Sequence, residues 1–188
     1  RPYLGDKIFG VSVAIAGWSG YFDVRTTPNV FRWLRDELPK AEIIIGHHIK
    51  FDAHFLANED VEYLDVPWHC TMVTDTLCYE HHHEYSLEAV AQRRLGRGKS
   101  TEMIDKWMEI SGAKNKKEAM ATLSQAPDWL VRPYAITDAE LLLPIYFHQL
   151  QDIMDQNLQK VYNLEVELQP VLFDMERNGV KCDVQAAH

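Results

Sequence analysis

Two acid-bearing segments carry the residue types and spacing that chemistry requires. The first is GHHIKFDAHFL, Gly46 to Leu56, in which His48 and Asp52 stand four residues apart. On a helix that spacing puts both on one face. An aspartate near the start of a helix that follows an apolar strand sits at the carboxyl edge of a sheet, where α/β sites form. Its plainer role is to complement the helix dipole. The second segment is YAITDAELLLPIY, Tyr134 to Tyr146. Tyr134 and Asp138 are again four apart and project together, just ahead of the apolar Leu141, Leu142 and Leu143. An acid there faces either solvent or a site. Neither segment by itself decides between a surface acid and a working one.

Two further clusters call for a reading. His81, His82 and His83 are consecutive, so their side chains point in different directions and share a tetrahedral zinc site poorly. They read as surface histidines. Arg93, Arg94, Arg97 and Lys99 form a local positive group. A solvated helix end is its default reading, and contact with a single-stranded 3′ end is the functional alternative.

The elements that must position these residues follow from periodicity. Lys7 to Ala16 alternates Phe9, Val11, Val13 and Ile15 on one face with Gly10, Ser12, Ala14 and Ala16 on the other. That is a strand whose small-residue face admits a close neighbour. Gly17–Gly20 supplies a turn, and Tyr21–Arg25 the returning strand of a hairpin. Pro28 and Asn29 open a helix over Val30–Leu38, which Pro39 ends. Ala41–Gly46 reads as a strand feeding a helix over Ile49–Ala57, the βα geometry of a mixed or parallel sheet. Val66–Cys70 is a further short strand, with Thr74 or Asp75 as cap of the following helix. Ser86 and Glu88 start a helix that Gly96 stops.

Arg97 to Gln125 reads as polar surface with two short helices, its lysines Lys114, Lys116 and Lys117 solvated. A long helix is expected over Pro133–Gln151. Another, over Leu158–Asn178, is expected to bury a stripe of Leu164, Leu168, Val171, Leu172 and Met175, with Gly179 closing it.

The 188 residues suit one α/β domain with an appendage, and 46% hydrophobic with 25% charged residues is enough for a core. No apolar run nears the ~18 residues a membrane span needs, and no signal-peptide pattern opens the chain. Neither internal repeats nor low-complexity tracts occur. The three cysteines, Cys70, Cys78 and Cys182, form no CxxC pair. They read as buried or half-buried thiols in a reducing, cytoplasmic compartment. A net charge of −9 counts against DNA binding by broad phosphate neutralisation. It is tolerable where contact is local and divalent cations supply the positive charge.

Taken together, HxxFD after an apolar strand and glycine, then YxxxD on a downstream helix, resembles the second and third motifs of the DEDD exonucleases with a tyrosine. DTLCYEHHHEYSLEAVAQRRLG, Asp75 to Gly96, is similar to the intervening stretch in family A polymerases. LEVELQPVLFDMERNGVKCD, Leu164 to Asp183, resembles the opening of the polymerase part. The resemblance covers nearly the whole chain. It implies a ribonuclease H-like α/β fold with a mixed five-stranded sheet. Residues 1–155 would form a 3′→5′ proofreading exonuclease domain, and 156–188 the start of a covalently linked polymerase domain.

The implied partner is a single-stranded DNA 3′ end, in a bacterial or virus-infected cell, with no membrane. The implied cofactors are two Mg²⁺ or Mn²⁺ ions on carboxylates, because hard cations prefer oxygen. Asp138 would hold the ion at the attacking water, Asp52 would anchor the second ion's water shell, and Tyr134 would orient that water. His48, Arg93 and Arg94 would touch substrate, and Phe51 would be core. The family has Asn where His48 stands.

The family's first motif, an Asp-x-Glu on the central strand, would fall before Arg1. A chain starting at Arg1 is therefore expected to leave unpaired strand edges and no nuclease activity of its own. Two rival readings are a DEDD exoribonuclease and an inactive scaffold domain of a polymerase.

Overall fold

The structure, a computed structural model, describes residues 2–63, 65–98 and 102–182. The alternating segment forms β1 (Gly10–Ile15), antiparallel to β2 (Trp18–Asp23). Only Ala16 and Gly17 separate the two, and Gly17 takes a φ of +80°. The hairpin is thus tighter than expected, and its return strand begins at Trp18, not Tyr21.

The two faces of β1 are used differently. Val11 and Val13 pack against Val30, Leu34 and Val61, where Val30 and Leu34 belong to α1 (Val30–Glu37). The small-residue face admits the ring of Tyr21, which lies so close over Gly10 that a Cβ there would sit 2.1 Å from the phenol oxygen.

A second sheet pairs β3 (Ile44–Gly46) with β4 (Trp68–Cys70) in parallel, Ile44 opposite Trp68 and Gly46 opposite Cys70. Between them α2 (Ile49–Ala57) lies within a connection of 21 residues, 47–67, long enough for the crossover of a βαβ unit. The expected single mixed sheet is therefore present as two separate pairs. Among the described residues no strand joins β1 to β3.

Helices supply the rest. α3 (Thr71–Cys78) leaves β4 without a break, so Thr74 and Asp75 lie inside it, buried, and do not cap it. α4 (Leu87–Leu95) is capped by Ser86, whose hydroxyl accepts from the Ala89 amide, and is closed by Gly96 in the left-handed region. α5 (Glu102–Ser111) and α6 (Lys116–Ala121) are the two short helices. Their segment is not merely surface, because Met103, Trp107 and Ala119 join Tyr21, Leu130 and Val131 in one cluster.

That cluster explains why α7 (Asp128–Asp155) begins five residues ahead of Pro133. Burial of Leu130 and Val131 outweighs the amide donor that Pro133 lacks. α7 runs roughly 42 Å at 1.5 Å per residue and packs against β1, β2, β3, α3 and α4. No described helix is long and apolar enough to cross a membrane.

α8 (Gln159–Asn178) corrects the expected stripe. Its buried residues are Tyr162, Gln169 and Phe173, whereas Leu164, Val171 and Met175 face solvent. Periodicity identifies an apolar side of a helix but not which side meets the body of the protein. Of the cysteines, Cys70 and Cys78 are buried and Cys182 is exposed, the last against expectation.

A buried polar chain ties the layers together. Gln149 of α7 donates through Nε2 to the Thr71 carbonyl (2.8 Å), so its Oε1 accepts from His69 Nε2 (2.8 Å). That leaves His69 Nδ1 to accept from the Tyr162 hydroxyl (3.0 Å). Burial pushes the His69 imidazole down to about 4 from 6.5; the hydrogen bond with Gln149 opposes this, and the Arg94 charge adds to it.

A histidine held neutral in the fold takes its proton only on unfolding. Stability is therefore full above about pH 6.5 and falls as the pH drops toward 4, by on the order of 3 kcal/mol in all. Nitrogen chemical shifts should show His69 still neutral at pH 5. A ring that titrates near 6.5 in the folded protein contradicts this.

Candidate active site

Asp52 owes its place to the turn between β3 and α2. Gly46 ends β3 where a Cβ would lie 2.9 Å from Ile49, so glycine is what lets the helix fold back over the strand. Thr71 Oγ1 donates to the Gly46 carbonyl (3.3 Å) and accepts from His47 Nδ1 (2.9 Å), fastening the turn to α3. Asp52 then falls in the first turn of α2.

Its side chain keeps contact with solvent, yet protein crowds the carboxyl, and that burial pushes it up to about 7. Solvent contact tempers the size of the rise but leaves its direction. Tyr63, a neighbour that spacing did not single out, is buried, and its phenol is raised by that burial and by the Asp52 charge. An ionised Asp52 is favoured there once a positive partner offsets the lost hydration.

His48 does not share a helix face with Asp52. It is the residue before α2, in the left-handed region with φ 60° and ψ 45°. There Asn, the residue usual in the similar family, fits better than His because it visits this region at low cost. His48→Asn is expected to raise stability by up to about 1 kcal/mol in urea unfolding. A loss instead would mean that the stacking of His48 on Phe51 (centroids 5.9 Å apart, planes 19° apart) dominates.

Phe51, expected in the core, is 46% exposed. It leans edge-on against Phe55 and forms an aromatic ledge beside Asp52. The sequence signal for this was the helical phase: Ile49 and Ala53 are the buried positions, so residue 51 lies on the other side.

Tyr134 and Asp138 lie one turn apart on α7, both half-buried. Tyr134 packs on the cluster around Tyr21 and Trp107. Asp138 Oδ1 is sealed from solvent. α2 springs from the carboxyl end of β3, and α7, the helix that carries Tyr134 and Asp138, packs against β3 along part of its length.

Arg93 and Arg94 occupy the last turn of α4 and meet a different carboxylate. Asp75 is 1% exposed and accepts from Arg93 Nη2 (2.7 Å) and Arg94 Nε (2.5 Å). Arg94 Nη1 also donates to Asp152 (2.5 Å). Burial would raise the Asp75 carboxyl, but the hydrogen bonds and charges of the two arginines outweigh it and hold it below its usual range.

With Tyr79, His82 and His148, these four residues line a hollow of about 320 Å³ that contains neither Asp52 nor Asp138. Arg97 is exposed, His81 and His83 are exposed in a turn, and Lys99 lies outside the described residues.

A family model described as 3′-5′ exonuclease matches residues 23–155, which include Asp52, Tyr134 and Asp138. The DNA polymerase DpoZ of Salmonella phage PMBT28 is 34% identical over 188 residues, covering 99% of this chain and 30% of that protein. DpoZ of Vibrio phage phiVC8 is 32% identical, with 98% and 31% covered. The DNA-directed DNA polymerase of Pseudomonas phage M6 is 31% identical, with 94% and 27% covered. The chain thus spans about 30% of the length of the relatives it matches. The βαβ unit, the long helix that crosses it and a match over residues 23–155 agree: this chain belongs to the 3′-5′ exonuclease family, metal-dependent nucleases of ribonuclease H-like fold.

Proposed function

We propose that this chain removes nucleotides from DNA 3′ ends as the proofreading part of a longer, family A-like DNA polymerase, with residues 1–155 as the exonuclease domain and 156–188 opening the polymerase domain. The observation that carries the reading is the exonuclease family match over residues 23–155, which takes in Asp52 on α2 and Tyr134 and Asp138 on α7, two helices that both pack on β3. The relatives' names supply the polymerase and its DNA. Because those relatives are phage proteins, the work is assigned to the cytoplasm of an infected bacterium.

The donor set fits a hard cation. Asp52 and Asp138 offer oxygens only, Asp52 where burial raises its carboxyl and Asp138 with Oδ1 sealed from solvent. Among the described residues no group of three or more His, Cys, Asp or Glu side chains could hold a metal. We assign the two aspartates part of a coordination shell, which the family's Asp-x-Glu motif would complete. Asp138 and Asp52 are assigned to two Mg²⁺ or Mn²⁺ ions. When bound, such ions neutralise the charge that gathers on the scissile phosphate and the leaving 3′-oxygen.

The chain's own residues do the rest. The Tyr134 hydroxyl orients the attacking water by a hydrogen bond, and Phe51 with His48 offers an aromatic surface to the terminal base. Arg93, the more exposed of its pair at 28% against 7%, keeps surface for the strand. Arg94 holds α4 to α7.

The test uses the full polypeptide with Mg²⁺ on matched single-stranded DNA and RNA. Release of deoxynucleoside monophosphates from the DNA 3′ end, abolished by EDTA, is expected. Preference for RNA would move the chain to the exoribonucleases of the same superfamily.

A further inference from the structure

The acids that line the hollow among α3, α4 and α7 are already matched. Asp75 accepts from Arg93 Nη2 (2.7 Å) and Arg94 Nε (2.5 Å), and Asp152 accepts from Arg94 Nη1 (2.5 Å). Two carboxylates meet two guanidiniums, and their formal charges cancel. Donors are left over. Arg94 Nη2 is buried with no acceptor. Arg93, 28% exposed, spends Nη1 on the Glu84 carbonyl and Nη2 on Asp75, which leaves Nε. His82 and His148 line the same hollow, and each ring brings an N–H in either tautomer. A hollow with donors to spare suits a ligand rich in acceptor oxygens.

An aromatic wall adjoins these donors. Tyr79 is 45% exposed, with the Arg94 guanidinium over its ring at 5.6 Å. The His82 ring leans on Tyr79 at 5.6 Å and on Tyr85 at 6.2 Å. Ring faces beside N–H donors offer a base and a phosphate what each needs. The volume of about 320 Å³ falls at the small end of ligand sites, about 300–1,000 Å³. The hollow also stands apart from the candidate catalytic residues. Along α7, Asp152 follows Asp138 by about four turns, roughly 21 Å at 1.5 Å per residue.

We infer that this hollow is a nucleotide site separate from the candidate active site. It takes a free nucleoside monophosphate, with the phosphate on His82, His148 and the spare N–H of Arg93 and the base against Tyr79. The choice of a nucleotide rests on the proposed reaction, whose product is a nucleoside monophosphate. The anion preference rests on the hollow alone.

The test follows acylation of individual histidines by diethyl pyrocarbonate, read by peptide mass spectrometry. It uses the full polypeptide with EDTA present, so that no cleavage enters the readout. With deoxyadenosine monophosphate at ~10 times its dissociation constant, modification of His82 and His148 is expected to slow about tenfold. His81 and His83, exposed in the same turn, should react at an unchanged rate. His148→Glu, at an exposed position, should abolish the protection of His82. Deoxyadenosine without its phosphate should protect neither ring. Equal protection by the nucleoside overturns the inference, as does no protection by the monophosphate. Stronger protection by a 5′-phosphorylated oligonucleotide also overturns it, because the hollow would then hold a DNA end. EDTA-sensitive release of nucleotides from a single strand judges the nuclease reading separately.

Discussion

Asp138→Ala in the full polypeptide is expected to cut nucleotide release from a DNA 3′ end by roughly 10²–10³-fold or more while leaving DNA synthesis largely intact. The size follows from removing a preorganised charge at the reacting phosphate, where a single lost stabilising group costs that much. The fold should tolerate the change. Asp138 is half-buried on a helix whose core contacts are made by Leu130, Val131, Leu141, Ile145 and Ile153, and alanine is the better helix former. Asp138→Asn sharpens the test, because it keeps the shape and removes the charge. Both variants should lose nuclease activity. Unchanged nuclease activity in either would take Asp138 out of the site.

The second large effect concerns stability. Asp75→Ala is expected to cost about 3–5 kcal/mol, since it strands a buried charge. Arg94 is 7% exposed and would keep Asp152 and the face of the Tyr79 ring. Arg93 would keep the Glu84 carbonyl and the face of the Tyr85 ring, and Gln149 would lose its long contact to Asp75 (3.4 Å). Against a typical stability of about 5–15 kcal/mol such a loss is a large fraction of the whole. Urea unfolding at pH 7 measures it. Adding Arg94→Met to Asp75→Ala should recover part of the loss, because the stranded charge is then gone. A loss below about 1 kcal/mol for the single variant would show that water reaches the Asp75 site freely.

The acidic chain and its proposed DNA substrate are compatible on the same local logic. The guanidiniums of Arg25, Arg94 and Arg132 are already bonded to Asp23, to Asp75 and Asp152, and to Asp128, so these three offer phosphates little charge. Stacking surfaces and cations at the cleaved bond then add to what Arg93 and the exposed lysines supply.

Local patterns were sufficient for most elements. The alternation around Val11 and Val13 specified a strand, Ser86 and Gly96 bounded α4, and Ile49–Ala57 is α2 residue for residue. The pairing of HxxFD with YxxxD was legible for the same reason, since motif spacing is a property of the chain. What spacing along one chain could not supply was which partner each side chain would meet. Asp75 looked like a cap and is a buried anchor; Phe51 looked like core and is a ledge; the apolar stripe of α8 points outward. In each case a distant element decided: Arg94 from α4, the seating of α2 on Ile49 and Ala53, and the hold of His54, Trp68 and His69 on α8. Burial is a property of two surfaces brought together, and a one-dimensional pattern describes only one of them.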